Sequence, residues 1–334
     1  MTTSGFTRAT RGVLATAGAA LLLAGLSACD LPFGLGTPTE RALESGALAS
    51  LTASSFEITG SFTDSGDKWS IDMQLLPRTT AEHLTVSGPK VNVEALIFGD
   101  VAYFRGHQFL SDHMGSDTLS RDLVAAAGNA WWKGSAGLAP QLPDFTGPSG
   151  FKATFLGSAV TQRTDGVSVN GVDAVALSGP RADVYLASAP PNRLLYLQTK
   201  KGVVIDGIAD VQLQYLNYQK DFGLAPPKDV IDFSNLSTLP PIYSVLSVDT
   251  SGCASPCVVR ATLRNLGGPN GAKAPSTVMF TMKDSASGAV IGSCQVQVIP
   301  DVGFNATTTV SCTISGTPSG SATVTATPDN PGRA

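Results

Sequence analysis

The residues best equipped for chemistry in this chain are few and stand close together. His107, Asp112, His113 and Asp117 fall in one short stretch, a mixture of imidazole and carboxylate suited to holding a metal or moving protons. Their spacing matches no recognised ligand set, however, and the stretch reads as a solvated loop ahead of a helix. No metal is therefore expected there. The third histidine, His83, lies apart in a strand-like run. Gly147-Pro148-Ser149-Gly150 lacks the Gly-x-Ser-x-Gly turn that exposes a hydrolase serine. Neither a phosphate-cradling glycine loop nor a dinucleotide fingerprint occurs. The chain reads as non-enzymatic, with no catalytic residues and no cofactor.

The five cysteines carry more information. Arg8 and Arg11 precede an apolar run from Gly12 to Ala28, the layout of a secretory leader too short and poorly flanked to span a membrane. It ends in Leu26-Ser27-Ala28-Cys29, which resembles the bacterial lipobox. That resemblance implies cleavage before Cys29, acylation of its thiol, and a protein held on the outer face of the cell membrane. Two acyl chains, at about 0.8 kcal/mol per buried methylene, anchor a domain stably. The other four, Cys253, Cys257, Cys294 and Cys312, all lie in the last third, and an even set in an exported chain reads as disulfides. Gly292–Ile299 and Thr307–Ile314 both alternate. Drawn as an antiparallel hairpin with Ile299 opposite Thr307, they place Cys294 opposite Cys312. Cys253 and Cys257 then close the Ala-Ser-Pro loop. Their spacing also suits a metal, but no histidine lies nearby.

The formal net charge is −4, and loss of the leader removes two arginines and no acid. With no basic block, nucleic acid is excluded as a partner. The length suits two domains after the leader.

Elements that would position these residues follow from periodicity. Thr37-Pro38-Thr39-Glu40 reads as a capping box, and Leu43, Ala47, Leu48 and Leu51 make a helical stripe over about 38–53. An antiparallel meander follows, with Phe56 and Ile58, then Trp69, Ile71, Met73 and Leu75, then Val93 and Ile97, alternating with polar residues. A second helix is predicted over Ser116–Trp132. Val169-Asn170-Gly171-Val172 predicts a type I′ hairpin. From Val245 onward short strands recur without helical signal, which predicts a β-sandwich.

The order of these parts resembles the mycobacterial and actinobacterial lipid-binding lipoprotein family (LppX/LprAFG, LolA-like). The resemblance runs through the lipobox, the capped helix, Ser55-Phe56-Glu57-Ile58-Thr59-Gly60, Gly99-Asp100-Val101-Ala102-Tyr103-Phe104-Arg105, Ala130-Trp131-Trp132-Lys133 and Ala225-Pro226-Pro227-Lys228-Asp229-Val230. It implies an α+β fold, a half-barrel of curved antiparallel sheet with helices on its concave face, enclosing a space for acylated lipid. The region from 244 to 327 lies outside that pattern. With Ala261-Thr262-Leu263-Arg264-Asn265-Leu266-Gly267 it resembles a CARDB or other immunoglobulin-like module.

The expected organisation is a leader over 1–28, a tether over 29–36, the half-barrel over 37–236, a linker over 237–243, the sandwich over 244–327 and a disordered tail over 328–334. Expected pocket walls are Phe56, Ile58, Trp69, Ile71, Met73, Leu75, Val93, Ile97 and Tyr103. The Trp131-Trp132 pair is a further candidate, since flat aromatics suit acyl chains and sugars. The expected function is to bind and pass on an acylated lipid or lipoglycan, the sandwich contacting an envelope protein or acting as a spacer. The alternative is an anchored interaction protein without lipid cargo.

Overall fold

Apolar residues at every second position drive much of the first two thirds of the folded chain into strands. The computed structural model describes residues 37–333, apart from 78, 90, 148–154, 156–159, 255 and 317–319. The leader and Cys29 lie outside the described residues. The first strands are β1 (Phe56–Asp64), β2 (Asp67–Leu76), β3 (Ala81–Ser87), β4 (Asn92–Phe98), β5 (Val101–Arg105) and β6 (Trp132–Ser135). After a long connection come β7 (Gln162–Val169), β8 (Val172–Ser178), β9 (Ala182–Ala187), β10 (Leu194–Thr199) and β11 (Ile208–Leu216). They form one 11-stranded antiparallel sheet in the order β6-β5-β4-β3-β2-β1-β11-β10-β9-β8-β7. The first and last strands meet at its centre, with Ile58 opposite Tyr215. Asn170 (φ 50°) and Gly171 (φ 79°) make the tight β7–β8 turn, both in the left-handed region that this turn type requires.

The helices are α1 (Glu40–Ala53), α2 (His107–Met114) and α3 (Thr118–Ala127). The cap of α1 is Thr39, whose hydroxyl accepts from the Ala42 amide at 3.2 Å. Pro38 therefore stands outside the helix. Its buried stripe is Leu43, Ala47, Ser50 and Leu51. The stretch read as a solvated loop around His107 is helix α2, and the single helix expected over Ser116–Trp132 ends at Gly128, whose φ of 59° breaks it.

The expected α+β half-barrel with helices on its concave face is not the fold. The chain is mostly β, one large antiparallel sheet followed by two small ones, with three short helices among the described residues. The physical reason lies in what covers the apolar face. Besides Leu43, Leu51, Leu110, Leu123 and Val124 from helices, the core draws on Phe145, Ile205, Ile231, Leu239 and Ile242, which come from outside both helices and sheet strands. Irregular chain takes over much of the covering that alternation alone assigns to helices.

The last third forms β12 (Tyr243–Asp249), β13 (Cys257–Asn265), β14 (Thr277–Asp284), β15 (Val290–Gln297), β16 (Thr307–Ile314) and β17 (Ala322–Asp329). Two three-stranded sheets, β12-β13-β16 and β15-β14-β17, share a core of Val259, Leu263, Val278, Phe280, Met282 and Ile314. The disulfides are Cys253–Cys257 and Cys294–Cys312. The second does not join neighbours of a hairpin. β15 pairs with β14 and β16 with β13, so the bond ties one sheet of the sandwich to the other.

Residues from Thr39 onward belong to one compact unit. The amide of Asn265, fully buried, fastens the sandwich to the junction with the large sheet. Its Oδ1 accepts from the amides of Ile242 and Gly267, both at 2.9 Å, and its Nδ2 donates to the carbonyls of Gly268 (3.0 Å) and Val302 (2.6 Å). Gly267 and Gly268 are required beside it, because a Cβ there would meet the Pro240 and Ser237 carbonyl oxygens at 1.9 and 2.1 Å. The segment read as a linker over 237–243 is packed, with Leu239 and Ile242 in the core. The tail is ordered too. β17 runs to Asp329, Asn330 bonds both backbone groups of Tyr243, and Arg333 reaches back to the large-sheet half.

Replacing Asn265 by Leu strands two buried amides and two carbonyls. At about 1 kcal/mol per lost bond, more where a group stays dry, the expected loss is about 3 kcal/mol or more. Urea unfolding followed by tryptophan fluorescence and far-UV dichroism measures it, and a loss under about 1 kcal/mol would contradict the role given to this amide.

Candidate functional site

None of the nine residues expected to wall a pocket lines either of the two cavities described below. Phe56, Ile58, Ile71, Met73, Leu75 and Val93 are buried in the sheet's packed core, with Trp69 and Ile97 partly buried against it. Tyr103 points to the opposite face and packs edge-on against Phe98 at 6.2 Å. Trp69 lies against Gly88, where any Cβ would strike its ring.

The histidines also separate. His113 stacks on Trp132 at 5.7 Å, in an aromatic cluster with Phe104, Phe109 and Phe233. Asp112 accepts from Gln108, while Asp117 caps α3 and is held below the usual carboxylate range by the hydroxyl and amide of Ser120. His83 sits on the polar face of the sheet, its Nε2 2.9 Å from Glu94 Oε1. On the next strand Arg105 donates to Glu94 through Nε at 2.9 Å and also through Nη2.

This polar face continues inward to Asp72 on β2. Desolvation raises the Asp72 carboxyl, nearby Glu57 raises it further, and His83 pulls the other way. A raised folded-state value means that the folded chain binds the proton more tightly than the unfolded chain. Ionisation of Asp72 therefore costs stability as pH rises through the interval above the ordinary value. An Asp72→Asn chain has no such loss. Its stability should equal that of the parent near pH 3.5 and exceed it above the raised value. Urea midpoints of the two chains from pH 3.5 to 7 measure the difference, and a gap that is constant with pH would contradict this account.

Arg105 connects this face to an open cleft of about 700 Å³. The guanidinium lies 4.9 Å over the ring of Trp131, which precedes β6. Beside them Ile231 bridges to Trp132, its amide donating to the Trp131 carbonyl at 2.8 Å, which fixes the approach of Lys228, Asp229 and Val230. The Leu236–Thr238 turn and the Pro269–Gly271 loop of the sandwich supply the far wall. Arg333 closes one side. Its Nη1 donates to the Asp229 carbonyl at 2.8 Å and its Nη2 to the Thr238 carbonyl at 3.1 Å. The Arg333 amide donates to Ala126, and the Gly332 carbonyl accepts from Lys273. Of the Trp131-Trp132 pair, the first lines this cleft and the second is core.

A second cavity of about 430 Å³ lies at the other half of the sheet. The β7–β8 turn contributes Val169, Asn170 and Val172, the β9–β10 connection Ala187, Ala189, Pro190, Pro191 and Arg193, and the end of β11 Leu216 to Tyr218. Asn170 Nδ2 reaches Gln214 Oε1 at 3.4 Å, which lays the hairpin tip over β11. The lining is mainly aliphatic. Its one cation, Arg193, lies 5.2 Å over the ring of Tyr218, whose hydroxyl donates to the Leu194 carbonyl at 2.7 Å. Burial raises the Tyr218 hydroxyl, so it remains protonated at neutral pH. Nothing in local sequence marks either cavity, since each gathers residues from three or more separate segments. Neither holds an arrangement of nucleophile, base and orienting group.

No protein-family model matches the chain, and no curated protein matches it by sequence. Among solved structures, MucB in complex with MucA(peri) aligns with a TM-score of 0.29 at 11% identity, over 78% of this chain and 93% of that one. The Pseudomonas aeruginosa MucA/MucB complex gives 0.28 at 14%, over 77% and 93%. MucB alone gives 0.28 at 11%, over 76% and 84%. Likeness of this degree assigns neither a fold family nor a ligand to the chain.

Proposed function

We propose that this chain is an exported, lipid-anchored binding protein of the cell envelope, without covalent chemistry, whose ligand is an acylated lipid or lipoglycan. The observation that carries the ligand is the second cavity. Its volume is within the range of small-ligand sites, and an aliphatic lining with one cation at the edge suits an acyl chain with an anionic head. Arg193 has no carboxylate partner among the described residues, so the head group would meet an uncompensated charge. On this reading the lipid lies apart from the nine residues first expected to hold it, none of which lines this cavity. The anchor rests on the leader and on Cys29, whose sequence context argues for acylation. A tether of a few residues would keep the folded part beside the membrane from which a lipid is drawn.

Two measurements test the reading. Full-length chain purified in nanodiscs should take up a fluorescent acyl probe, and Leu195→Trp, which fills the cavity, should weaken uptake about tenfold with the melting temperature unchanged. Equal uptake by the two chains would sink the lipid reading. Separately, intact mass should show diacylation at Cys29, and a Cys29→Ala chain should leave the membrane pellet or retain its leader. An unmodified Cys29 on a cleaved, soluble chain would remove the anchor.

A further inference from the structure

We propose that the open cleft between the large sheet and the sandwich is a second binding site, for an anionic glycan whose units bear phosphate or carboxylate. The charge of its lining runs against that of the molecule. The chain is net −4, yet among the described residues the cleft presents Arg105, Lys228 and Arg333 against the single carboxylate of Asp229. Glu94 neutralises Arg105 from behind. Arg333 is different, because both its guanidinium bonds go to neutral carbonyls. Its Nε is buried with no hydrogen-bond partner among the described residues, an unmet donor on a side chain that lines the cleft. Guanidinium groups suit oxyanions, and the half-buried Arg333 has no carboxylate partner among the described residues to compensate its charge.

The rest of the lining argues for a glycan carrying that charge. About 700 Å³ is far more than one phosphate or carboxylate fills. Asn129 and Asn270 supply amide groups suited to sugar hydroxyls, and Trp131 adds an aromatic edge. The site is also built rather than incidental. Arg333 is held at backbone and side chain by contacts to Ala126, Asp229 and Thr238, so its position depends on both halves of the fold.

The test uses full-length chain in nanodiscs of neutral lipid, titrated calorimetrically with a glycerol-phosphate oligomer, a glucuronate-containing oligosaccharide, neutral dextran oligomer and inorganic phosphate. At least one anionic oligomer should bind, at least tenfold tighter than dextran or phosphate, with affinity falling as salt rises from about 50 to 300 mM. Lys228→Glu, at an exposed position, should weaken that binding at least tenfold while leaving the melting temperature and acyl-probe uptake unchanged. Arg333→Lys, which keeps the charge but not the fork, should weaken it by less. Equal binding of dextran and both anionic oligomers, or full binding by Lys228→Glu, would overturn the proposal. So would binding to anionic-lipid vesicles with none to either soluble oligomer, which would assign the cleft to a lipid head group. Because acyl uptake is read separately, failure here leaves the lipid reading standing, and the reverse.

Discussion

One buried amide holds the junction between the large sheet and the sandwich, on which a wall of the larger cleft depends. Asn265 has four hydrogen-bonding positions in its side-chain amide, and four backbone groups from three segments occupy them. A dry polar group is tolerable only when satisfied, and a fully satisfied one admits a single geometry. The chain therefore leaves the large sheet, turns through Pro240 to Ile242 and enters the sandwich along one path. That path brings the Ser237–Thr238 turn and the Pro269–Gly271 loop face to face and makes a wall of the cleft.

The tail repeats the same principle from the other end. Asn330 bonds both backbone groups of Tyr243, and Arg333 bonds carbonyls on either side of the cleft. Both are polar side chains that satisfy backbone groups which regular structure leaves over. The Cys294–Cys312 bond adds a covalent tie between the two small sheets. The Asn265 and Arg333 contacts join the sandwich to the large-sheet half through specific bonds.

How much could be read beforehand depends on the range of the interaction. Asn170-Gly171 declared its turn because only positive φ closes a two-residue hairpin, a property of two adjacent residues. Leu43, Ala47 and Leu51 declared the buried face of α1 through helical period alone. The Cys294–Cys312 pair was legible but for an incomplete reason. Alternation placed both sulfurs on inward faces, and inward faces of opposed sheets meet as readily as those of paired strands. The nine wall residues are another matter, for none lines either cavity described. Period-2 patterning tells which side of a strand is apolar, and is silent on whether side chains from elsewhere fill the space above it. Here Phe145, Phe155, Ile231 and others fill it.

By itself, then, the sequence determined most of the strands, several turns, the disulfide-bearing sandwich and the absence of any recognised catalytic motif, since each is written in neighbouring residues or in a short period. The tertiary structure alone decided that irregular chain covers the sheet, that the apolar cavity lies by Arg193 and Tyr218, and that Arg105, Lys228 and Arg333 share a cleft. Those residues are brought together by the pairing of β1 with β11, the bridge at Ile231 and the amide of Asn265. Contacts between residues a hundred or more positions apart leave no periodic mark in a single chain, because hydrophobic burial selects a face without naming its partner.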